Sequence, residues 1–567
     1  MQYNPDNPII AQSDRTVLLE VNNPQYAEAR DGLARFAELV KSPEHIHTYR
    51  ISPLSLWNAA SAGMSSDEMI KVLEEYSKYE VPENLAREIK ENVGRYGRIK
   101  LEKRDDKLVL VSKDRALMLQ VWNAKEAKRF LTKRLSELEF EVVPHMRGHI
   151  KQALIHLGFP VEDLAGYVEG AHLEIEMRKT ALSGEPFELR HYQADSVAAF
   201  YAGGAARGGS GVIALPCGAG KTIVGMVAIS KFKTQTLIVA TNITAVRQWI
   251  RELIDKTSLT EDEVGEYTGE TKDSKPVTIA TYNILTYRKR NTNHFPHFEL
   301  FTRRNWGLII YDEVHLLPAP VFRVTAEIQA RRRLGLTATL VREDGREEDV
   351  FSLIGPKRYD IPWKDLERQG WIATASCTEV RVQMPEEFRM EYAIANKREK
   401  FRLASENEAK VQVVQKIIEN HPDDLVMIIG QYLQQLDVLT NLFGFPLITG
   451  KTKTAEREKL YENFRSGRVK RLIVSKVGNF SVDLPDANIL IQVSGTFGSR
   501  QEEAQRLGRI LRPKDDQRPA HFYSLITRDT TEQDFSANRQ LFLTEQGYSY
   551  SISEVNELFN EENAAAV

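Results

Sequence analysis

LPCGAGKT, residues 215–222, is the stretch from which the rest of the chain can be read. It follows directly on the apolar run GVIA and opens at once into TIVGMVAISKF, which has helical spacing. Strand, glycine-rich loop, Lys-Thr and helix, in that order, is the setting of a phosphate-binding loop. Gly218 and Gly220 let the backbone curl until successive N–H groups face phosphate oxygens, and the dipole of the following helix adds to that field. Pro216, Cys217 and Ala219 complete the cradle. Lys221 supplies a mobile cation at the β- and γ-phosphates, and the Thr222 hydroxyl is a ligand for Mg²⁺. The position six before Lys221 is Leu215, where the general pattern has Gly. A plain glycine turn between a strand and a helix is the bland alternative.

Working outward, YDEVH at 311–315 closes the apolar run WGLII. An Asp at the carboxyl end of a parallel strand holds Mg²⁺ beside the phosphates, which makes Asp312 the metal partner. Glu313 is then placed to orient or deprotonate an attacking water. Such acidic pairs are also common as solvated charges, and only the loop upstream gives this one its meaning. Further on, QRLGRILRP at 505–513 puts Gln505, Arg509 and Arg512 at i, i+4 and i+7, on one helical face. A guanidinium on that face, reaching ATP held by another domain, would act as an arginine finger, worth about 10³–10⁵ in rate. A solvated basic helix has the same spacing.

Around these motifs short apolar runs alternate with helical stretches. GVIAL, TLIVAT, VTIAT, WGLIIYD and RLGLTAT form one series; LVMIIG, PLITG, RLIVS, ANILIQVS and HFYSLIT form a second. Apolar strands separated by helices indicate βαβ units and parallel sheets, so two α/β domains are expected. Before them, SPLSLWNAASAG, SSDEMIKVLEEYSKY and PENLAREIKENVGRY read as helices, and IKLEKRDDKLVLVS as a hairpin turning at Asp105-Asp106. That order fits a winged-helix module or an ordinary α+β domain. The expected fold class is therefore α/β, two RecA-like parallel-sheet domains preceded by α+β modules. The boundaries drawn are 1–120 for the N-terminal domain, 121–185 for a small mixed domain, 186–362 for the first motor domain, 363–420 for a linker and 421–567 for the second motor domain.

Composition narrows the setting without naming a function. The 567 residues are 42% hydrophobic and 27% charged, as in globular proteins generally, and no run of about 20 apolar residues suggests a membrane span. Two cysteines, Cys217 and Cys377, exclude a four-cysteine iron–sulfur cluster and favour a reducing, cytoplasmic setting. A net charge of −3 gives no global sign of nucleic-acid binding, although a local basic groove suffices for a motor.

Taken together the motifs resemble those of superfamily 2 helicases in order and spacing. LRHYQ (189–193) looks like the adenine-reading motif, with Gln193 on the base and Arg190 nearby; GLTATL (335–340) looks like coupling motif III. TNITAVRQW (241–249), TIATYN (278–283) and IIGQYLQQL (428–436) resemble strand-contact motifs, which makes Arg247, Trp249, Thr281 and Tyr282 candidates for DNA contact. SKVGNFSVDLP (475–485) resembles motif V, with Gly478 and Asp483 between nucleic acid and γ-phosphate.

DEVH, the run GLTATLVRED leading to IGPK, and FLTEQGYSYS narrow the resemblance to the XPB family. Arg342, Glu343 and Asp344 reproduce its RED motif. EEFRMEYAIANKREKFRLA (386–404) stands where the family inserts a basic thumb, with Lys397, Arg398, Lys400 and Arg402 as its cations, although a solvated helical face would look alike. Residues 121–185 stand where a damage-recognition-like element is expected. The resemblance implies ATP and Mg²⁺ as cofactors, 3′→5′ movement on DNA with unwinding, and work in nucleotide excision repair or in opening DNA for transcription. It leaves a nuclease or repair protein as a candidate partner. A double-strand translocase and an RNA helicase share the same phosphate site and remain the rival readings.

Arg342, Glu343 and Asp344 carry no phosphate chemistry, and as a solvated charge cluster their loss would change stability by no more than about 0.5 kcal/mol. Replacing all three by Ala should lower strand displacement on a 3′-tailed duplex severalfold more than it lowers phosphate release. Equal losses in a paired assay would instead indicate damage to the neighbouring motif III.

Overall fold

The computed structural model describes residues 3–41, 45–105, 107–143, 146–205, 208–216, 218–288, 295–328, 331–338, 347–361, 363–371, 373–475, 487–495, 520–545 and 550–558. The chain divides into two compact units. One holds Met1–Val40, His45–Leu215 and Gly220–Asp360; the other holds Ile361–Val567 with the short segments Lys41–Glu44 and Pro216–Ala219.

The first unit is built around a parallel sheet of seven strands. These are β10 (Ser210–Ala214), β11 (Thr236–Ala240), β12 (Val264–Tyr267), β13 (Val277–Thr281), β14 (Leu308–Asp312), β15 (Arg332–Thr337) and β16 (Lys357–Asp360), in the order β12-β13-β11-β14-β15-β10-β16. Every residue of β10, β11 and β13 is buried, as strands covered by helices on both faces must be. The second unit repeats the plan with β17 (Ala375–Val382), β18 (Val426–Gly430), β19 (Leu447–Ile448), β20 (Arg471–Ser475), β21 (Ile489–Gln492), β22 (Ala520–Thr527) and β23 (Tyr550–Glu554), in the order β19-β20-β18-β21-β22-β17-β23. Both sheets are RecA-like, and all ten apolar runs of the sequence lie on them. Residues 375–382, expected in a linker, instead form β17, which pairs with β22 along its whole length and with β23. Among the described residues no helix is long and apolar enough to cross a membrane.

Two further sheets precede the first motor sheet. β1 (Ile9–Ala11), β2 (Thr16–Glu20), β3 (Glu38–Lys41) and β4 (Ile46–Arg50) form one, in the order β1-β2-β4-β3. Three helices follow it, Pro53–Ser61, Ser66–Tyr76 and Glu83–Arg95. Their starts follow from local chemistry: Ser52 and Ser65 close capping boxes with Ser55 and Glu68, and Pro53 occupies the first turn. The hairpin β5 (Ile99–Arg104)–β6 (Lys107–Ser112) turns through Asp105, in the left-handed region at φ 46°. It is not a free wing. It joins β7 (Leu131–Arg134), β8 (Glu139–Val142) and β9 (Glu162–Asp163) in the order β7-β8-β6-β5-β9, so the boundary drawn at residue 120 cuts through a sheet. Leu110 pairs with Phe140 across it, and their side chains share a core with Leu101 and Leu154.

This module is packed on the first motor sheet by apolar and charged contacts. Trp57 and Ile155 pack with Phe351; Gln152 Nε2 donates to Asp349 Oδ1 at 2.7 Å, and the backbone N–H of Lys357 donates to Asn58 Oδ1 at 3.0 Å. Arg147 forks onto Asp163 with bonds of 3.0 and 2.7 Å, and Lys151 Nζ lies 3.1 Å from the same carboxylate. Arg333, one of three consecutive arginines that could have ended a helix, lies in β15 with its side chain fully buried and donates to the Leu353 carbonyl at 2.7 Å. The Tyr167 ring receives both the Arg147 and the Arg333 guanidinium, 5.2 and 5.5 Å from its centroid.

Burial pushes the Asp163 carboxyl up, but the charges of Arg147 and Lys151 outweigh it and hold the group well below its ordinary range. Lys151 is pushed down to about 8 by burial, which Asp163 opposes and the neighbouring arginines reinforce. Arg147 and Lys151 thus share one buried carboxylate, and the charge of Arg333 adds to the same field. Asp163→Ala should therefore lower the stability of the first unit by about 3–5 kcal/mol, read as a lower urea midpoint at neutral pH. Because the folded group titrates below its ordinary value of 3.8, this stabilisation is present above that pH and is lost as pH falls below it. The deficit of the variant should shrink on acidification.

Candidate nucleotide site

β10 delivers the phosphate loop. Leu215 continues the strand, its N–H donating to the Thr337 carbonyl at 2.9 Å, and its side chain is buried. The position where the general pattern has Gly is here a core residue. Gly218 and Gly220 take φ of 82° and 80°, in the left-handed region, and Gly220 caps the helix Lys221–Phe232. A Cβ on Gly220 would meet Gln193 Nε2 at 2.5 Å, which puts the expected adenine-reading residue directly against the loop. Gln193 is itself buried and its Oε1 accepts from Arg190 N at 3.1 Å; Arg190 Nη1 reaches the Tyr192 hydroxyl at 3.1 Å.

The acidic pair leaves the sheet at the same edge. Asp312 ends β14, and Glu313 follows in the left-handed region with φ 50°. For a residue with a Cβ that conformation costs about 1–2 kcal/mol. It swings the Glu313 side chain to Lys221, with Nζ 3.1 Å from Oε1 and both side chains mostly buried. His315 Nδ1 lies 3.5 Å from Glu313 Oε2 and 2.7 Å from Thr337 Oγ1, tying the DEVH stretch to the end of β15. Among the described residues no hydrogen-bond donor reaches the buried Glu313 Oε2. Burial, and then the charge of Glu313, pushes Asp312 up to about 6. For Glu313 burial also acts upward, but Lys221 and His315 outweigh it and keep its carboxyl below the ordinary range. A carboxylate beside a lysine and a second buried carboxylate is an arrangement that phosphoryl hydrolysis can use. The donor set of Thr222 and Asp312 suits Mg²⁺, which is held by one or two carboxylates together with phosphates rather than by a protein cage.

The candidates for DNA contact separate into two kinds. Arg247 is half exposed on the helix Ile243–Lys256, paired with Glu266 at 3.4 Å and Glu270 at 2.6 Å. Lys397, Arg398, Lys400 and Arg402 lie on the helix Lys397–Ser405 of the second unit. Arg402 is paired with Glu406 at 3.3 Å, and Lys400 Nζ stands 5.6 Å from the Tyr392 ring centroid. Thr281, by contrast, is 3% exposed and its hydroxyl caps the helix Tyr282–Leu285 by accepting from Ile284 N at 3.2 Å. Trp249 and Tyr282 are 1% and 4% exposed and present no face for a base to stack on. They belong to the nucleotide site: Trp249 Nε1 donates to Asp312 Oδ2 at 3.0 Å and the Tyr282 hydroxyl to the Asp312 carbonyl at 3.0 Å. A signal for Trp249 was present in the sequence. Gly225 interrupts an otherwise good helix, and a Cβ there would lie 2.4 Å from the Trp249 ring. Cys217, Arg342, Glu343, Asp344, Gly478, Asp483, Gln505, Arg509 and Arg512 lie outside the described residues.

Residues 366–566 match the family model of the ERCC3/RAD25/XPB C-terminal helicase, residues 186–342 that of the type III restriction enzyme res subunit, and residues 9–136 one described as a helicase conserved C-terminal domain. A Mycobacterium tuberculosis protein named DNA 3′-5′ helicase XPB is 53% identical over 98% of this chain and 99% of its own length. The chain belongs to the XPB helicase family. A second XPB of the same name, from Kineococcus radiotolerans, is 52% identical over 98% of this chain and 97% of its own. The yeast relative, the general transcription and DNA repair factor IIH helicase/translocase subunit XPB/SSL2, is 31% identical over 96% of this chain and 71% of its own. With the bacterial XPB proteins the match spans the N-terminal modules as well as both motor sheets.

Lys221→Ala removes the cation at the phosphate loop and leaves the buried Glu313 without its partner; phosphate release should fall to background. Glu313→Gln keeps Asp312 and Lys221, so a fluorescent ATP analogue should still bind within about tenfold of the wild-type affinity while turnover is lost. Hydrolysis near the wild-type rate in Glu313→Gln would remove Glu313 from the water-orienting role.

Proposed function

We propose that this protein is an ATP-driven motor that moves 3′→5′ along DNA and separates its strands, serving repair or the opening of DNA for transcription. The observation that carries the reading is the meeting of Lys221, Asp312 and Glu313 at one sheet edge, with 3.1 Å between the Lys221 and Glu313 charged groups, in a chain of the XPB family. The backbone of 216–220 and Lys221 bind and orient the ATP phosphates; Thr222 and Asp312 hold Mg²⁺. Bound Mg²⁺ neutralises charge that develops on the transferred phosphoryl group. Glu313 positions the attacking water and takes its proton. Gln193 and Arg190 border the base. For Gln505, Arg509 and Arg512 the reading keeps the γ-phosphate role that the family resemblance implies, and for Gly478 and Asp483 the role between γ-phosphate and nucleic acid.

The candidates for DNA contact in this reading are Arg247, Thr281, Lys397, Arg398, Lys400, Arg402 and the Arg342-Glu343-Asp344 element. Thr281 takes part through the helix it caps. The partners are single-stranded DNA and duplex junctions, together with a nuclease or another repair protein.

Phosphate release with and without single-stranded DNA, duplex DNA and RNA, followed by strand displacement on tailed duplexes, tests the proposal. DNA-stimulated hydrolysis with displacement only on the 3′-tailed duplex is expected. Stimulation by RNA alone, or translocation without displacement, would overturn it. Replacing Lys397 and Arg398 by Ala should weaken single-strand binding at every sequence alike. It should also flatten the log–log salt dependence by about 1.4, or about 0.7 for each phosphate that is no longer neutralised.

A further inference from the structure

Two motifs that reach toward nucleic acid both end on the same residue of the nucleotide site. In the first motor sheet β11 lies between β13 and β14, with Ala240 opposite Thr281 and Val239 opposite Tyr311. At the carboxyl edge each of β11 and β13 turns into a capped helix. Asn242 accepts from Ala245 N at 2.9 Å to start Ile243–Lys256, and Thr281 starts Tyr282–Leu285. The longer helix carries Arg247 outward and, two residues on, Trp249 inward.

Trp249 is held from two sides. Its ring occupies the space that a side chain at Gly225 would fill, against the helix that begins at Lys221, and its only polar hydrogen goes to Asp312 Oδ2. Tyr282 secures the same residue through the Asp312 carbonyl. The phosphate-loop helix, the metal-binding carboxylate and the two DNA-side helices therefore meet in a few buried contacts. An N–H···O bond weakens steeply when its angle or length changes, so a small displacement of Ile243–Lys256 is felt at the Asp312 carboxylate.

We propose that Trp249 and Tyr282 are positioning residues that couple DNA occupancy of the motor to the geometry of Asp312, Trp249 through the carboxylate and Tyr282 through the backbone. This rests on the motor reading above and adds to it a route inside one domain. DNA that engages Arg247 must compete with Glu266 and Glu270 for the guanidinium, and the resulting shift of the helix is passed by the indole to the metal ligand. By thermodynamic reciprocity, nucleotide and Mg²⁺ bound at Asp312 then change the affinity for DNA by the same factor.

The test needs no turnover. Fluorescence anisotropy of a labelled single strand is measured on the full chain, with Mg²⁺ alone and with Mg²⁺ plus a non-hydrolysable ATP analogue. In the wild type the two DNA affinities should differ by about fivefold or more. Trp249→Phe keeps a ring and loses the N–H; Tyr282→Phe loses only the hydroxyl. Each should reduce the difference, Trp249→Phe to below about twofold, with nucleotide-free DNA affinity within about twofold of wild type. Wild-type coupling in Trp249→Phe overturns the proposal. So does a loss of nucleotide-free DNA affinity in that variant, which would make Trp249 a support of the DNA track instead. Should Trp249→Phe fail to fold, unchanged coupling in Tyr282→Phe overturns the proposal and reduced coupling supports it. A wild-type chain that binds no DNA would instead fail the motor reading itself, and this proposal with it.

Discussion

Parallel strands end together, and the nucleotide site depends on which ends the register brings side by side. β15 pairs with β10 on one side and β14 on the other, setting Ala214 opposite Thr337 and Asp312 opposite Leu336. The phosphate loop and the acidic pair therefore leave the sheet at the same level, one strand apart, although about 90 residues separate them in the chain. Ligands of open α/β sheets gather at this edge for the same reason. A one-residue slip of β14 would move Asp312 by a full strand step and turn its side chain to the other face. The burial of all strand positions in β10, and of four of the five in β14, makes such a slip expensive, so the core fixes the chemistry.

Within that frame the site stays short of full satisfaction. Its contrast with the second unit is instructive. There Lys410 is buried against Glu532, with Nζ donating to both carboxylate oxygens at 2.9 and 2.8 Å and to the Val493 and Ser405 carbonyls at 3.0 and 3.3 Å. That pair is a saturated brace. In the first unit, among the described residues, the buried Glu313 Oε2 has no hydrogen-bond donor, although His315 Nδ1 lies 3.5 Å away, and Glu313 takes a backbone conformation that L residues avoid. Strain and unmet hydrogen-bonding capacity at a buried acid persist where the surroundings over-determine them, here through Lys221, His315 and the sheet.

The sequence was most legible where one short window carries the whole physical requirement. LPCGAGKT needs only its own glycines and the following helix, and capping at Ser52 and Ser65 is equally local. The ten apolar runs mark their strands because burial on both faces favours apolar residues, and buried polar ones such as Gln492 and Ser524 are bonded to each other. What escaped depends on neighbours distant in sequence. β12, β16 and β23 are short or partly polar edge strands, and β17 alternates as ASCTEVRV because its polar positions find partners such as Ser536 for Glu379. Trp249 stands two residues after Arg247 in a motif that resembles a strand contact, and its packing against Gly225 shows that its ring points inward. The 99–112 hairpin reads correctly as a hairpin, but its pairing with β8 needs residues about 30 positions away. For motif V, the QRLGRILRP stretch and the RED element, the residues themselves carry the argument.

In the proposed reading, the helix pair Glu386–Ile394 and Lys397–Ser405 is where a chain of net charge −3 concentrates cations for phosphate contact. Its first helix, Glu386–Ile394, carries Glu386, Glu387 and Glu391 against Arg389; its second, Lys397–Ser405, carries four cations against Glu399. The cations are therefore segregated by helix. Arg402, in the last turn and paired with Glu406, is where the helix dipole favours a positive charge. Lys397 and Arg398 are not. They sit exposed in the first turn, where the dipole opposes them, and the orphan N–H groups of Arg398 and Glu399 are already met by Asn396 Oδ1 at 3.1 Å. Helix stability thus gives no reason for cations at these two positions, and a bound anion would reverse the sign of the local field. A passing phosphate would meet both side chains and the positive end of the helix together.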